Sequence, residues 1–187
     1  IGARRLKPKR ELGLWLDVLV LAAQDPSVAW QGVAIGRAND RTQKGVKVPA
    51  AATLQPTIIG DDAAQRSAIA GAALSTLVDL YLRNLSEPLP LWPETAAKLC
   101  GRKKLPTGNW DITLPGGARI GDGYEAATRE IWGDLSEHDY ESLPARSDDP
   151  GNPAEPSRAK RLAHVIWSAF DASVSGSLNS QTPQAAT

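Results

Sequence analysis

The sequence predicts an α/β domain in which helices flank a small sheet, and three observations carry that expectation. Leu12, Trp15, Leu16, Leu19 and Ala23 recur at helical spacing over residues 11–24. Residues 28–36 (VAWQGVAIG) and 48–59 are apolar and rich in β-branched side chains, as strands are. Residues 62–84 then line up Ile69, Ala73, Leu77 and Leu80 on one stripe of a long helix running on to Leu85, thickened by Leu74, Val78 and Tyr81.

Each element has its own signals. In the first helix Leu14, Val18 and Leu21 occupy the remaining faces, which predicts cover on more than one side, and Asp25-Pro26 ends it. Residues 37–47 are polar and fit a hairpin loop. The returning strand 48–59 contains Pro49 and Pro56, which confine it to an edge or split it. Gly60-Asp61-Asp62 forms a turn whose aspartates cap the long helix. Glu87-Pro88-Leu89-Pro90 stops that helix, and a short one begins at Pro93-Glu94-Thr95 and ends near Cys100. Residues 105–123, rich in Gly and Pro around Trp110, read as loop with room for a hairpin across Gly116-Gly117. A short helix over 124–132 precedes an acidic, proline-rich connection over 134–156. Ser157 caps a last helix with Leu162, Val165, Ile166 and Ala169 facing inward. The expected organisation is one domain, residues 1–174, followed by a disordered tail, 175–187, without periodicity.

Bulk properties narrow the class. The chain has 187 residues, and Lys+Arg and Asp+Glu both count 21, for a formal net charge of zero. That balance argues against a polyanion-coating protein but leaves local basic patches open. A single cysteine, Cys100, cannot close an internal disulfide, which points away from a secreted, stapled scaffold. The longest apolar run, residues 12–23, is interrupted by Asp17 and is too short to cross a bilayer. Arg4-Arg5-Leu6-Lys7 leads into an amphipathic segment without a small-residue cleavage pattern, so the cytoplasm is the expected location. The start at Ile1 and the absence of methionine predict a piece of a longer polypeptide.

No chemistry is legible in the motifs. His138 and His164 are far apart in sequence, and with one cysteine they do not make a zinc set. Gly116-Gly117 and Gly121-Asp122-Gly123 lack the Gly-Lys-Ser/Thr of a phosphate loop and are better explained as turns. No Gly-x-Ser-x-Gly elbow occurs. Cys100 lies beside basic residues that favour a thiolate, but no histidine accompanies it, and a packed thiol is expected. Metal-dependent nucleases place an Asp on one strand and Asp/Glu-x-Lys on the next, to hold Mg²⁺ and steady the attacking water. The helix–strand–strand–helix order over 11–85 suits that core. Yet no lysine here has an acid two residues before it, and neither expected strand carries a carboxylate. If that nuclease architecture is the right one, its chemistry has been stripped from it, and no metal and no cofactor are expected.

Basic clusters are the remaining positive signal. Arg4, Arg5, Lys7, Lys9 and Arg10 form one, Arg102, Lys103 and Lys104 a second, and Arg158, Lys160 and Arg161 a third, while Arg37 stands alone at a strand end. Each is also what an ordinary solvated surface looks like, but together they supply phosphate contacts without sequence readout. Trp92 and Trp110, beside Pro and Gly, are the candidates for stacking or partner docking among tryptophans otherwise expected in the core.

Several segments, in order, resemble the C-terminal domain of RecC, the gamma subunit of the RecBCD helicase–nuclease (exodeoxyribonuclease V). They are residues 12–23 (LGLWLDVLVLAA), Val33-Ala-Ile-Gly36-Arg37, residues 74–91 (LSTLVDLYLRNLSEPLPL), Pro93-Glu-Thr-Ala-Ala, Trp110, Gly121-Asp-Gly-Tyr-Glu125, Ile131-Trp132-Gly133, Arg161-Leu-Ala163 and Ile166-Trp167. The likeness spans about residues 11–170, and its strength lies in the ordered set. Related chains carry more acids where Gly123-Tyr124-Glu125 stands here. The resemblance implies a restriction-endonuclease-like (PD-(D/E)XK-type) fold with its catalytic residues lost. It also implies contact with a RecB-like helicase–nuclease subunit, and with a RecD-like one, and guidance of separated DNA strands. ATP binding and Chi recognition are implied to belong elsewhere.

Three readings follow. The first is a noncatalytic DNA-binding and scaffolding domain, with Arg4, Arg5, Lys7, Arg37, Arg102, Lys103 and Lys104 on the DNA backbone and no membrane or small-molecule substrate. The second is a divergent Mg²⁺ nuclease using scattered acids such as Asp40, Asp79 or Asp122. The third is a protein-interaction module without DNA contact.

Overall fold

A computed structural model describes residues 6–37, 41–43, 46–48, 51–102, 112–113, 119–120, 122–175 and 179–181. Along the chain lie α1 (Pro8–Gln24), β1 (Ala34–Arg37), β2 (Arg41–Gln43), β3 (Val46–Val48), β4 (Ala51–Leu54), β5 (Thr57–Ile58), α2 (Ala63–Ser86) and α3 (Pro93–Leu99). After them come β6 (Ile112–Thr113), β7 (Arg119–Ile120), a 3₁₀ turn (Asp122–Tyr124), α4 (Ala126–Trp132), α5 (Glu137–Glu141), α6 (Arg158–Ser173), β8 (Val174–Ser175) and β9 (Asn179–Gln181).

The expected α/β, restriction-endonuclease-like core is overturned, because among the described residues helices dominate and no mixed sheet forms for them to flank. Among the described residues every strand pairing is antiparallel, in the order β1-β4-β9, with β2 on β3, β5 on β8 and β6 on β7 as separate pairs. Two physical causes are visible. Proline has no N–H to give a ladder, and Pro56 falls between β4 and β5, splitting the expected second strand. The first half of the expected first strand forms no ladder: Val28, Ala29 and Val33 are exposed, Gln31 makes one isolated bridge to Thr57, and Gly32 packs on α1. A Cβ on Gly32 would lie 2.8 Å from side-chain carbons of both Leu14 and Val18, so only glycine admits that approach. Trp30 Nε1 donates to the Asp25 carbonyl at 2.9 Å, which turns its side chain back toward the helix end. What remains is the four-residue β1, paired with β4 from Ala34 opposite Leu54 to Arg37 opposite Ala51.

The helices follow the sequence more closely. The chain forms two compact units, one of Ile1–Leu74, Lys103–Pro106 and Phe170–Thr187, the other of Ser75–Arg102 and Thr107–Ala169. In the first, α1 starts at Pro8, whose fixed φ suits a first turn. Its buried face is Glu11, Trp15, Val18, Leu19 and Ala22, turned from the expected stripe. Cover on more than one side forms in part: Val18 is buried and Leu14 half-buried, both against Gly32, while Leu16, Val20 and Leu21 stay exposed. Trp15 is wholly buried, donates from Nε1 to Ser173 Oγ at 2.8 Å and meets Phe170 edge-on at 5.3 Å between centroids. The N-terminus of α2 is capped as expected, Asp62 Oδ1 accepting from Gln65 N–H at 2.8 Å. Beside it Arg66 donates from Nε to the Pro26 carbonyl at 2.9 Å.

In the second unit α2 runs out toward Ser86 with Leu80 buried and Val78, Tyr81, Leu82 and Leu85 exposed. Tyr140 and Ala159 centre a core packed by Trp92, Leu99, Leu135 and Leu143. Trp92 meets Tyr140 edge-on at 4.9 Å and Trp132 at 5.8 Å. Helix α5 interrupts the expected connection over 134–156. Ser136 Oγ accepts from Asp139 N–H at 3.1 Å, while Asp139 Oδ2 accepts from Ser136 N–H at 3.1 Å, a reciprocal capping box. The hairpin expected near Gly116-Gly117 is present as β6 on β7, its turn lying outside the described residues. Ser157 caps α6 through Lys160 N–H at 3.2 Å, and α6 buries Ala159, Leu162, Ala163, Ile166 and Trp167. Val165 and Ala169, expected inside, are only half-buried.

Candidate functional site

The start of α1 is the described place where basic side chains gather at the surface. Lys7 takes the N-cap position in extended conformation, and Lys9 and Arg10 follow within the first turn, all three exposed. A helix N-terminus carries partial positive charge, so cations there work against the macrodipole by about 0.3–1 kcal/mol each. Glu11 in the same turn agrees with the dipole but is buried, and a polyanion would relieve the exposed cations. Arg4 and Arg5, which extend the cluster in sequence, lie outside the described residues.

The other sequence-predicted cations fare differently. Arg37 closes β1, where the backbone alone is described, and Lys103 and Lys104 lie outside the described residues. Arg102 is half-buried, its guanidinium 4.3 Å from the ring centroid of Trp167. Cation–π stacking of this kind fixes the side chain against its own fold.

Two members of the third cluster are internal, while Lys160 is half-buried. Arg158 is 4% and Arg161 6% exposed. Arg158 Nε donates to both carboxylate oxygens of Asp149 at 3.1 Å, and its Nη2 reaches Glu87. Arg83 Nη2 donates to Asp148 Oδ2 at 2.8 Å, and Arg146 pairs with Glu87. Arg161 spends its fork on carbonyls, Nη1 to Arg146 at 3.1 Å and Nη2 to Pro153 at 2.8 Å and Glu155 at 3.0 Å. A sequence signal for this existed. Arg158 and Arg161 are spaced i, i+3, on the same side as Leu162, and the preceding connection is rich in acids. The Asp148 carboxyl is held below its usual range by its own backbone amide and by Arg83.

The acids proposed for metal work are placed elsewhere. Asp122 is buried, and its Oδ2 accepts from Thr95 N–H at 2.9 Å and Thr95 Oγ at 2.6 Å, fastening the first turn of α3. Asp79 is exposed on α2, and Asp40 lies outside the described residues. Among the described residues no three His, Cys, Asp or Glu side chains group as metal ligands do. His138 on α5 and His164 on α6 are exposed, and Cys100, half-buried, closes α3. Trp92 packs rather than stacks outward, with Nε1 donating to Thr128 Oγ1 at 2.8 Å, and Trp110 lies outside the described residues. The Tyr140 phenol is pushed far up, first by burial and then by Asp122, Glu141 and Cys100. It stays a donor, to the Pro90 carbonyl at 2.9 Å.

Fold and polar groups together define a helical domain whose buried charges serve its own packing. The sequence places it further. Residues 1–103, more than half of the chain, match the family model of the RecC C-terminal domain, and the chain belongs to that family. It is thereby part of a RecBCD-type complex with other subunits, acting in DNA repair and recombination. The match takes in the resembling segments from α1 through α3, whereas those at Trp110, 121–125, 131–133, 161–163 and 166–167 fall beyond it. No curated protein and no solved structure matches the chain.

Proposed function

We propose that this domain works in its complex by binding, without catalysis of its own. It contacts a RecB-like helicase–nuclease subunit, and a RecD-like one where present, and it helps guide separated DNA strands by backbone contacts. The cytoplasm is its place of work, and it takes no cofactor or small-molecule substrate. Among the described residues no helix is long and apolar enough to cross a membrane. Family membership over residues 1–103 carries this reading. It is supported by the cations set against the helix dipole at the start of α1, with which Arg4, Arg5, Lys103 and Lys104, outside the described residues, and Arg37 are grouped as further DNA contacts. A protein-interaction role without DNA contact has its own support, because Val78, Tyr81, Leu82 and Leu85 leave one face of α2 exposed at helical spacing.

Affinity capture from the native host, with recovered chains identified by mass, tests the reading. A RecB-like subunit is the expected companion, and the purified chain alone is expected to leave duplex and single-stranded DNA uncut in Mg²⁺. EDTA-sensitive cleavage that follows the chain through purification overturns the noncatalytic part. Capture free of any helicase–nuclease subunit overturns the rest.

A further inference from the structure

The outer face of α2 carries a pattern that its own fold does not require. Val78, Leu82 and Leu85 stand on it at 51%, 55% and 66% exposure. The same row runs back through Ser75 to Gly71, Ala68 and Ala64, all exposed. Its steps are alternately four and three residues, the interval at which one helix meets another along a coiled-coil seam. The row holds no charge. The charged residues of this 24-residue helix are Arg66, Asp79 and Arg83, and both arginines are bonded within the fold. A long apolar face so poor in charge marks an interaction surface. Gly71 adds a second, separate sign. A Cβ there would meet nothing within 4 Å, so the surrounding fold does not ask for glycine, the weakest helix former after proline. A glycine on an open helix face suits the close approach of another backbone.

We propose that this face pairs with the same face of a second copy of the chain, the two helices running antiparallel about a two-fold axis beside Ser75. Volume decides the occupant. The row is small at its start and large at its end, so antiparallel pairing sets Leu85 against Ala64, Leu82 against Ala68 and Val78 against Gly71 of the second copy. Large side chains then fill the room that small ones leave, layer by layer. Parallel pairing sets large on large at one end and small on small at the other, which no single helix spacing suits. The flanks agree. Asp79, exposed beside the row, comes opposite Ala72, and Tyr81 opposite Ser67, so no like charges meet. An uncharged row offers nothing to a nucleic-acid backbone. The helix is about 36 Å long and its face about 10 Å wide, which is below the roughly 800 Å² a side of a standard interface. The pairing is therefore weak, with Kd of about 10–100 µM. The proposal rests on the reading of this face as a protein surface, and it is independent of DNA contact and of the RecB-like subunit.

Sedimentation equilibrium of the full chain up to about 1 mM tests it, with a monomer–dimer transition as the expected result. Leu82→Lys is expected to weaken the dimer at least about tenfold. Gly71→Leu separates close packing from mere stickiness. It should hold or raise the thermal midpoint, since leucine is the better helix former in open space, and yet weaken the dimer about tenfold by holding the second helix off. Orientation is read by oxidation in a Cys100→Ser background. Ser75→Cys is expected to form a disulfide between copies, whereas Leu85→Cys is not, because the two cysteines stand about 30 Å apart in an antiparallel pair. A monomer at about 1 mM, an equal or tighter dimer in Gly71→Leu, or a disulfide through Leu85→Cys overturns the proposal. A chain that stays monomeric, but loses capture of a RecB-like subunit in Leu82→Lys, overturns the second copy as occupant and leaves the face a protein surface.

Discussion

Arg158 shows at residue scale why a basic side chain in sequence is a poor guide to where its charge is used. Its side chain is 5% exposed against an Asp149 side chain wholly out of water, and the fork of its guanidinium spans Asp149 and Glu87. Truncating one partner of a buried pair strands the other, at a cost of about 3–5 kcal/mol. Arg158→Met is therefore expected to lower stability to urea by that order, and Arg158→Lys to restore little, because an ammonium is not a planar fork. Midpoints of urea unfolding measure both, and a Lys variant as stable as the parent rejects the fork argument. Two exposed carboxyls make stability depend on pH. Asp139 is lowered by the Ser136 hydroxyl first and the Ser136 amide second, and Asp148 by its own amide and Arg83. A carboxyl lowered in the folded state stabilises it above the unfolded value, here 3.8, and that contribution fades as pH falls through the folded value. The double variant Asp139→Asn/Asp148→Asn should thus lose less stability than the parent on acidification below about pH 4. Parallel pH profiles for the two proteins would count against these assignments.

Elements differ in how much of them the sequence disclosed. Helices were legible because a 3.6-residue period repeats over several turns, and Asp62 and Ser157 marked two starts correctly. The face was less legible: α1 is so uniformly apolar that Val18 and Ala22 win burial over Leu16 and Ala23, set by what packs against it. The sheet was illegible for a different reason. Apolar, β-branched composition marked residues 28–33 as strand, yet Val28 and Val33 stay exposed, Gln31 makes one isolated bridge to Thr57, and Gly32 alone is buried, against α1. Gly32→Ala puts a methyl 2.8 Å from Leu14 and Val18, and overpacking of this kind costs about 1–3 kcal/mol. A drop in thermal midpoint without loss of helix signal is the expected result, and an unchanged midpoint refutes the close approach. Helix α5 was missed although Ser136-x-x-Asp139 is a start signal, because the acidic, proline-rich surroundings read as loop. Ser136→Ala removes that cap and is expected to cost about 1 kcal/mol, whereas Ser142→Ala at the other end of α5 should be near neutral. Chemical denaturation of the two variants separates them.

At the scale of the whole molecule, zero net charge conceals a division of labour between cations. Arg66, Arg158 and Arg161 hold loops and carboxylates inside the structure, and Arg102 lies on Trp167. Sequence clustering did not separate Arg102, Arg158 and Arg161 from Lys7, Lys9 and Arg10, since both kinds stand in short basic runs. Burial does, because a charge withdrawn from water needs a partner in the fold and an exposed one does not. Family membership was readable from the ordered segments through α3, whereas the fold attached to it was not, since likeness of segments carries no sheet with it. This division makes a prediction about salt. A domain neutralising Z phosphates on duplex DNA releases counterions, and log K falls against log salt with a slope of about −0.9Z. Reversing Lys7, Lys9 and Arg10 to glutamate removes three contacts if all three touch phosphate, so the slope should become shallower by about 2.7. The same loss should appear for unrelated DNA sequences, since backbone contacts carry no sequence information. The thermal midpoint should hold or rise, because acids at the start of α1 agree with its dipole where cations oppose it. Arg158→Lys serves as the control: it removes stability but no surface charge, and should leave the slope unaltered. An equal slope in the parent and the triple variant removes the start of α1 from any DNA interface.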